Sequence, residues 1–364
     1  MTMIQHVFSE DYFEARDKFR AACRLEGQVP QAFENPTPAP DGRSVSTEVA
    51  WFGPRTASRL LVLVSGVHGV EALSGSAVQT GLIALGHLRA LPADTAVLMV
   101  HVINGYGATH LRRNTDGNVD LCRNFMDFTQ PLPQRPEYEL LHAALSCPDF
   151  DGPQREAADA VQADYMHQHG PEGYIQALMG GQYVHPDGFA YGGNAPVWAN
   201  QTITHILSEN AQHARQVVLV EYHTGLGSYA YGTAVTMHVD EDLDRARRWF
   251  GDWIHAPNQR APGGPKEFYR VFGHTTDGYR RCLPQAQMTS IVLEVGTYAP
   301  QVTLPVMLQD HWLQQHGDPH SERGIAIRQR LLRLHYPQDP DWRHAVWQRS
   351  LQVAQQAWRG LSGG

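Results

Sequence analysis

Apolar strands and helices alternate along the first third of the chain. Polar and apolar residues alternate over Val45–Trp51, which predicts a strand. The apolar runs Leu60–Val64 and Thr95–Ile103 predict strands buried on both faces, and Leu73–Leu88 between them predicts a helix. A strand, a helix and a second strand in this order are typical of a sheet with parallel members covered by helices.

The alternation of predicted strands and helices continues through the rest of the chain. Further strands are predicted at Gln216–Tyr222, shortly after Gly232 and at Ser290–Val295. Helices are predicted by apolar stripes at helical spacing over Tyr12–Cys23, Pro136–Ala144, Gln154–His169, Pro171–Met179, Val197–Ala214 and Glu241–Ile254. We therefore predict one large α/β domain over residues 1–364, with a mixed, largely parallel twisted sheet flanked by helices. Residues 302–364 are predicted to form a helical C-terminal cover of that domain.

Four segments have no clear periodicity and are predicted as loops. Gln28–Arg43 is rich in proline, Gly180–Asn194 is rich in glycine, and Ala256–Pro265 reads as a surface loop. Asn104–Phe125 is rich in Gly, Arg and Asn and is much longer than an ordinary connection. Long loops inside compact domains are usually functional.

The composition disfavours nucleic acid and membranes as partners and indicates a reducing compartment. With 29 basic and 37 acidic side chains the formal charge is −8, so the chain lacks the basic surface that nucleic-acid binding needs. No apolar run approaches the roughly 20 residues of a membrane helix, and the N-terminus lacks the features of a signal peptide. The four cysteines form no C-x-x-C pair, which suits a reducing compartment. We expect a cytoplasmic protein without nucleic-acid or membrane partners, of unknown oligomeric state.

Two of the twenty histidines follow predicted buried strands directly. His68 and Glu71 come after the run at 60–64, and His223 ends the strand at 216–222. Ligands bind beyond the carboxyl ends of parallel strands, and zinc accepts both imidazole and carboxylate ligands. Glu221 shares a sheet face with His223 and is suited to orient its ring, although a buried structural hydrogen bond is an equally good interpretation.

A carboxylate and a group of cations complete the candidate chemistry. Glu294 lies inside an apolar strand, where a carboxylate is costly unless it is paired with an Arg or has a chemical role. If it lies at the metal site, desolvation would raise its pKa, which suits a general base. The loop 104–125 carries Arg112, Arg113 and Arg123, whose forked donors suit a carboxylate or an oxyanion, although a solvated loop is the simpler interpretation.

Together, these motifs resemble a known superfamily. His68-Gly-Val-Glu71, Asn118-Val-Asp-Leu-Cys-Arg-Asn-Phe125, Glu221-Tyr-His223 and Leu293-Glu294 come in the order and rough spacing of the zinc carboxypeptidase superfamily, the M14 clan. That clan also contains the aspartoacylase and succinylglutamate desuccinylase branch. More narrowly, the chain resembles the bacterial M14-like group DUF2817 in three segments: Ser65–Glu71, Gly181–Gly193 and Glu294–Tyr298. The resemblance runs from about residue 10 to residue 335 and implies a zinc carboxypeptidase-like fold.

The resemblance also implies roles for individual residues. One Zn2+, with a second metal not excluded, would be held by His68, Glu71 and His223. Glu294 would be the general base and acid. Arg113 would stabilise the oxyanion, and Arg112, one residue earlier, is the alternative for this role. Arg123, with Asn124 and Arg112, would bind the carboxylate of a peptide or small-molecule substrate.

The chain departs from the implied pattern at one position and leaves another undecided. Cys122 stands where the family usually has Asn, and a thiol cannot donate the amide hydrogen bond to a substrate carboxylate. A tyrosine is expected near the site, and the candidates are Tyr229, Tyr231, Tyr269 and Tyr279.

The leading hypothesis is a zinc-dependent hydrolase of amide bonds, either a carboxypeptidase or a small-molecule N-deacylase. The alternative from another class is a noncatalytic metal- or ligand-binding protein on the same fold. A serine hydrolase is disfavoured because no Gly-x-Ser-x-Gly motif occurs, and a zincin because His-Glu-x-x-His is absent.

Overall fold

A single mixed sheet forms the centre of the molecule. The computed structural model describes residues 2–258 and 271–363, and within them eight strands pair in the order β1-β2-β4-β3-β5-β8-β6-β7. The strands are β1 Gln31–Glu34, β2 Ser46–Phe52, β3 Arg59–Val64, β4 Thr95–His101, β5 Gln216–Thr224, β6 Gly232–Val235, β7 Ile254–His255 and β8 Gln287–Val295. The neighbours β4, β3, β5 and β8 run parallel, while β1, β2 and β6 join antiparallel to their inner neighbours. The predicted α/β class with a mixed, largely parallel sheet is confirmed.

Helices cover both faces of this sheet. They are α1 Thr2–Gln5, α2 Tyr12–Leu25, α3 Ala72–Ala84, α4 Gly105–His110, α5 Pro136–Leu145, α6 Pro153–Met179, α7 Trp198–Asn210, α8 Asp240–Phe250, α9 Thr275–Cys282, α10 Pro300–Gln315, α11 Glu322–His335 and α12 Pro340–Leu361. On β3, Leu61 and Leu63 belong to the core under α2, α3, α8 and α12, whereas Leu60, Val62 and Val64 belong to the core under α7 and α9. Successive side chains of a strand point to opposite faces, so β3 is buried on both sides, as predicted.

Several elements differ from the predicted pattern. β1 lies inside the predicted loop at 28–43, and α4 lies inside the predicted loop at 104–125. Both elements are short. α4 is stabilised by the Asn104 side chain, which accepts a hydrogen bond from the Gly107 amide, and an apolar stripe does not define this helix. The two helical segments predicted to meet near Gly170 do meet there, because Gly170 has a φ of 73° inside α6. Of the predicted surface loop at 256–265, residues 259–265 lie outside the described residues.

The C-terminal helices contact both the sheet layer and the edge where the strands end. α12 packs against α3, α8 and the central strands. On the other side, Val306 of α10 and Leu331 and Leu334 of α11 pack around Val70, just after β3. The assignment of residues 1–364 to one domain, with 302–364 as its cover, stays a prediction. Among the described residues, no helix is both long enough and apolar enough to cross a membrane.

Candidate metal centre

The turn after β3 is shaped by close backbone contacts. His68 precedes a short 3-10 turn at Gly69–Glu71, and the backbone amides of Gly69 and Val70 donate to carbonyls in the loop that follows α4. A Cβ on Gly69 would lie 2.0 Å from the backbone carbon of Gly107, so only glycine lets α4 approach this closely. The turn therefore holds His68 and Glu71 in a fixed position.

Three side chains from two strand ends place their potential metal-donor atoms close to one point. The His68 Nδ1 atom lies 2.8 Å from Glu71 Oε1 and 3.1 Å from the Nδ1 atom of His223. The His223 Nδ1 atom lies 3.0 Å from Glu71 Oε2, which also accepts a hydrogen bond from the Thr224 amide at 3.0 Å. All three side chains are buried. The structure thus brings together the residues that the sequence predicts as metal ligands.

The arrangement fits a divalent cation. Tetrahedral zinc with bonds of about 2.0–2.1 Å separates its ligand atoms by roughly 3.3 Å, close to the spacing of these three donors. The buried carboxyl groups of Glu71, Asp120 and Glu221 and the partly buried one of Glu294 surround the imidazoles. Among the described residues, the guanidinium groups that line the pocket are those of Arg113 and Arg123. Burial lowers the pKa of His68, but the charge of Glu71 outweighs it and raises that pKa to about 10, so the described acidic groups favour a positive charge at this point.

Each imidazole has a carboxylate on its other nitrogen. The Nε2 atom of His68 lies 3.2 Å from Asp120 Oδ1, and that of His223 lies 2.6 Å from Glu221 Oε1. Carboxylates in this position fix the orientation of metal-binding histidines and raise their basicity. Burial raises the pKa of Asp120, but the charges of Arg113 and Arg123 outweigh it and hold that pKa well below its ordinary value. Asp120 is the residue of this shell to which the sequence analysis gave no role.

Glu294 lines the same pocket as these ligand atoms. It is the register partner of His223 on the adjacent parallel strand, so both side chains project from the same face of the sheet. Its Oε2 atom is buried and has no hydrogen-bond partner among the described residues. Burial and the nearby charge of Glu71 raise its pKa to about 7, against the opposing charges of His223 and Arg113.

Two of the predicted arginines line the same pocket. Arg113 pairs with Asp120, and Arg123 donates from Nε and Nη2 to the carbonyl of Met179, at 3.0 and 2.7 Å. The carbonyl of Met179 therefore fixes the orientation of the Arg123 guanidinium.

The structure places the other two predicted substrate-binding residues elsewhere. Arg112 forms an ion pair with Asp310 of α10 at 3.2 Å and is not among the residues that line this pocket. The Asn124 side chain donates to the carbonyls of Gly192 and Ala195 and accepts from the amide of Val197. It therefore holds the segment after the glycine-rich loop in place rather than reaching the pocket.

Cys122 provides an alternative donor near the histidines. Its Sγ atom lies 4.0 Å from His223 Nε2, and Cys122, His68 and His223 have potential ligand atoms within 4.8 Å of one another. The set that includes Glu71 fits one ion better, because its atoms lie within 3.1 Å of their neighbours and Nε2 of His223 already contacts Glu221.

Two further histidines line the pocket in opposite tautomers. Nδ1 of His335 donates to the carbonyl of Leu331 at 2.9 Å, which leaves Nε2 as an acceptor. Nδ1 of His274 accepts from the amide of Thr276 at 3.2 Å, which leaves Nε2 as a donor. Burial lowers the pKa of His335 and lowers that of His274 to about 4, so both rings are neutral near pH 7. The pocket that they border has a volume of about 110 Å3.

None of the described candidate tyrosines lines this pocket. Tyr229 donates to Asp339 at 2.9 Å on the surface, and Tyr231 is exposed beneath the guanidinium of Arg349. Tyr279 is buried in the core, and Tyr269 lies outside the described residues.

Comparisons with known proteins place these features in a family. No curated protein matches the chain significantly. The structure is similar to carboxypeptidase A from Helicoverpa armigera, with 13% identity, 89% of this chain and 73% of that chain covered, and a TM-score of 0.47. It is also similar to succinylglutamate desuccinylase from Chromobacterium violaceum, with 13% identity, 88% and 74% coverage and a TM-score of 0.36. Murein-tripeptide amidase MpaA from Escherichia coli O157 is similar as well, with 15% identity, 85% of this chain and 93% of that chain covered, and a TM-score of 0.35.

These scores describe a distant likeness in the path of the chain and do not assign a reaction. The match in sequence is of a different kind, because one family model covers most of the chain. The family described as protein of unknown function, DUF2817, matches residues 8–349. The chain therefore belongs to the DUF2817 family.

Proposed function

We propose that this protein is a zinc-dependent hydrolase of amide bonds in peptides or N-acyl amino acids. The observation that carries the proposal is the convergence of His68, Glu71 and His223 beside a buried carboxylate oxygen of Glu294 that has no partner among the described residues. When bound at His68, Glu71 and His223, zinc supplies Lewis acidity that acidifies water and polarises a carbonyl oxygen.

Glu294 is the proposed general base and acid. It takes a proton from the attacking water and returns it to the nitrogen of the leaving amine. Burial raises the pKa of this carboxyl group to about 7 in the metal-free protein, so the site favours its protonated form more than water does, as a group that must also return a proton requires. A protein that only binds a metal has no need of such a group, which argues against the noncatalytic alternative.

Two cations are proposed to act on the substrate. Arg113 borders the pocket and is held by Asp120, which suits a fixed donor for the charge that develops on the carbonyl oxygen. Arg123, oriented by the carbonyl of Met179, is proposed to bind the substrate carboxylate. His274 offers one more neutral donor at the pocket for a substrate oxygen.

The pocket favours a substrate with a small group at the reacting end. Its volume of about 110 Å3 accommodates an amino acid or a short acyl group rather than a folded chain. Carboxypeptidase and N-deacylase activity both remain within the proposal. The four cysteines are free thiols, which is compatible with the cytoplasmic location that we propose.

The test combines metal analysis with a substrate panel. Purified protein is assayed against N-acyl amino acids and short peptides with and without a chelator, and zinc is then added back. We expect turnover of at least one class, its loss on chelation and its return with zinc. Turnover that survives complete metal removal, or zinc-loaded protein inactive on the whole panel, would contradict the proposal.

A further inference from the structure

His335 is a buried histidine of the pocket whose second ring nitrogen is an unused acceptor. Its Nδ1 atom donates to the carbonyl of Leu331 at 2.9 Å, and burial lowers the pKa of the ring against the nearby charge of Glu71, so the ring is neutral near pH 7. The Nε2 atom therefore carries a lone pair, and no residue that the structure describes donates a hydrogen bond to it. An acceptor on a buried side chain costs free energy unless a ligand or water satisfies it.

The Nε2 edge of this ring is open to the pocket because the residue in front of it is a glycine. Gly225 follows Thr224, the last residue of β5, and both line the pocket together with His335. A Cβ on Gly225 would lie 3.5 Å from His335 Cδ2 and 3.8 Å from its Nε2. Any other residue at this position would place a side chain over the ring edge, whereas glycine leaves Nε2 accessible.

A chain of contacts fixes His335 to the Glu71 side of the metal centre. The Thr224 hydroxyl donates to the carbonyl of His335 at 2.6 Å, and the Thr224 amide donates to Glu71 Oε2 at 3.0 Å. The nearby charges that act on the His335 ring are those of Glu71, Arg113 and His68. His335 therefore lies close to Arg113, the proposed donor for the carbonyl oxygen of the substrate.

His274 lies on the other side of His223, next to Arg123. The hydroxyl of Thr275 donates at 3.0 Å to Glu221 Oε1, which contacts Nε2 of His223, the ring edge away from the metal centre. The charges of Glu221 and Arg123 act on the His274 ring. Since Arg123 is the proposed anchor of the substrate carboxylate, that end of the substrate lies on this side of the pocket.

We propose that Nε2 of His335 accepts a hydrogen bond from an N–H group of the substrate, attached to the carbon next to the scissile carbonyl on its acyl side. The acyl side lies opposite the carboxylate end and hence next to His335. A free ammonium group is disfavoured there, because the imidazole is neutral and Arg113 is close. The preferred acyl group is therefore an N-acylated amino acid, as in a peptide, rather than a plain chain such as acetyl or succinyl. The inference rests on the proposed function, since it takes Arg123 as the carboxylate anchor.

The experiment compares two ligands that differ in one group. An N-acetylglycyl-amino acid carries the N–H group, and the matching acetoxyacetyl-amino acid carries an ester oxygen in its place. Pairs are made with alanine, phenylalanine, glutamate and lysine at the C-terminus. Isothermal titration calorimetry of the intact chain carrying Glu294→Gln, with zinc present, measures the dissociation constants without hydrolysis. We expect the N–H ligand of at least one pair to bind at least about fivefold more tightly, because the ester leaves the buried acceptor unsatisfied.

Three variants in the same background test whether His335 causes the preference. His335→Leu removes the acceptor and should bring the ratio of the two dissociation constants close to one. His335→Gln provides an amide oxygen that can accept, so it should keep part of the ratio. His213→Leu, at an exposed position outside the pocket, should keep all of it. Because each ratio is measured within one protein, a general loss of affinity in a variant cancels.

A spectroscopic measurement covers the case in which the His335 variants fold poorly. The nitrogen resonance of a neutral imidazole acceptor moves upfield when the atom accepts a hydrogen bond. In protein with isotope-labelled histidine, the Nε2 signal of His335 should therefore move upfield with the N–H ligand and not with the ester.

The outcomes separate this inference from the proposed function. Equal binding of the two ligands in every pair, a preference undiminished in His335→Leu, an unshifted Nε2 signal, or binding of no ligand would overturn the inference. If the preference and the shift are found but the wild type hydrolyses none of these ligands, the hydrolase proposal is contradicted and the role of His335 in binding stands.

Discussion

His223 and Glu294 are direct register partners on the adjacent parallel strands β5 and β8. Partners in register project from the same face of a sheet, so the strand pairing itself sets the carboxyl group of Glu294 beside the imidazole of His223. A proposed metal ligand and the proposed general base are therefore positioned by backbone hydrogen bonds rather than by a flexible loop. This rigidity suits the fixed geometry that catalysis needs.

Replacing Glu294 with Gln should abolish most of the activity and spare the metal. The amide keeps the size of the side chain but cannot accept and return a proton, so kcat should fall by at least about 100-fold. The measurement is steady-state turnover of the best panel substrate, together with zinc content. Glu209→Gln, at an exposed position of α7, serves as the control. A variant with near-wild-type kcat would exclude Glu294 as the base.

Replacing His68 with Ala should remove stoichiometric zinc from the candidate metal centre. The substitution deletes one of the three converging donor atoms, and a site with two remaining ligands binds weakly. Elemental analysis of the dialysed variant should show one zinc fewer than the wild type, whereas His213→Ala should show no loss. Unchanged zinc content would move the metal centre to other residues.

Replacing Asp120 with Asn should weaken zinc binding without removing it. Asp120 contacts Nε2 of His68 at 3.2 Å, and loss of such an outer carboxylate typically costs 10- to 100-fold in metal affinity or activity. Competition with a chromophoric chelator measures the dissociation constant. Asp116→Asn in the same loop should leave it unchanged, because Asp116 is exposed and bonds to Thr37 instead. Equal affinities of the Asp120 variant and the wild type would rule out this outer role.

Replacing Gly69 with Ala should destabilise the protein and disturb the metal centre together. The added Cβ would meet the backbone of Gly107 at 2.0 Å, so either α4 or the turn carrying His68 must shift. Overpacking of this kind costs roughly 1–3 kcal/mol in the free energy of unfolding. Urea denaturation of the metal-free protein and zinc titration are the two measurements. A variant with normal stability and normal zinc affinity would show that the close approach is not required.

Acidification should destabilise the fold through His101, at the end of β4. This side chain is fully buried, contacts the Ser76 hydroxyl at 2.8 Å and stacks on Phe19. Burial, aided by the charge of Arg20, lowers its pKa from 6.5 to about 3. The unfolded chain therefore takes up a proton below about pH 6.5 that the folded chain refuses until about pH 3. The stability is fully present above pH 6.5 and is lost as the pH falls towards 3, by about 1.4 kcal/mol per pH unit.

Urea denaturation at several pH values between about 6 and 4 tests this linkage. The wild type should lose about 1 kcal/mol more per pH unit than His101→Gln, because glutamine does not titrate. Parallel pH profiles of the two proteins would show that His101 does not contribute.

Most of the sheet and the main donors were predictable from the sequence. The apolar runs at 60–64, 95–103, 216–222 and 290–295 indicate buried strands, because a strand covered on both faces excludes polar residues. His68, Glu71, His223 and Glu294 interrupt or follow such runs, and a polar group at a strand end is conspicuous for that reason.

The partners of the cations and of the imidazoles were decided by the tertiary structure. Arg112 and Arg113 are adjacent in sequence, yet Arg112 pairs with Asp310 from α10 while Arg113 borders the pocket with Asp120. Nothing local distinguishes the two, because Asp310 lies far away in the chain and only helix packing brings it close. Asn124 is likewise assigned to the loop at 192–197 by contacts that no spacing reveals.

The sequence by itself determined which strand ends carry the candidate metal ligands and the candidate base, because the burial of a strand and its two-residue period are visible in consecutive residues. The tertiary structure alone decided which long-range neighbours complete each group: Asp120 on His68, and His274 and His335 at the pocket. The physical reason is that hydrogen bonds and ion pairs act over a few ångströms in space, and chain separation carries no information about that distance once the helices have packed.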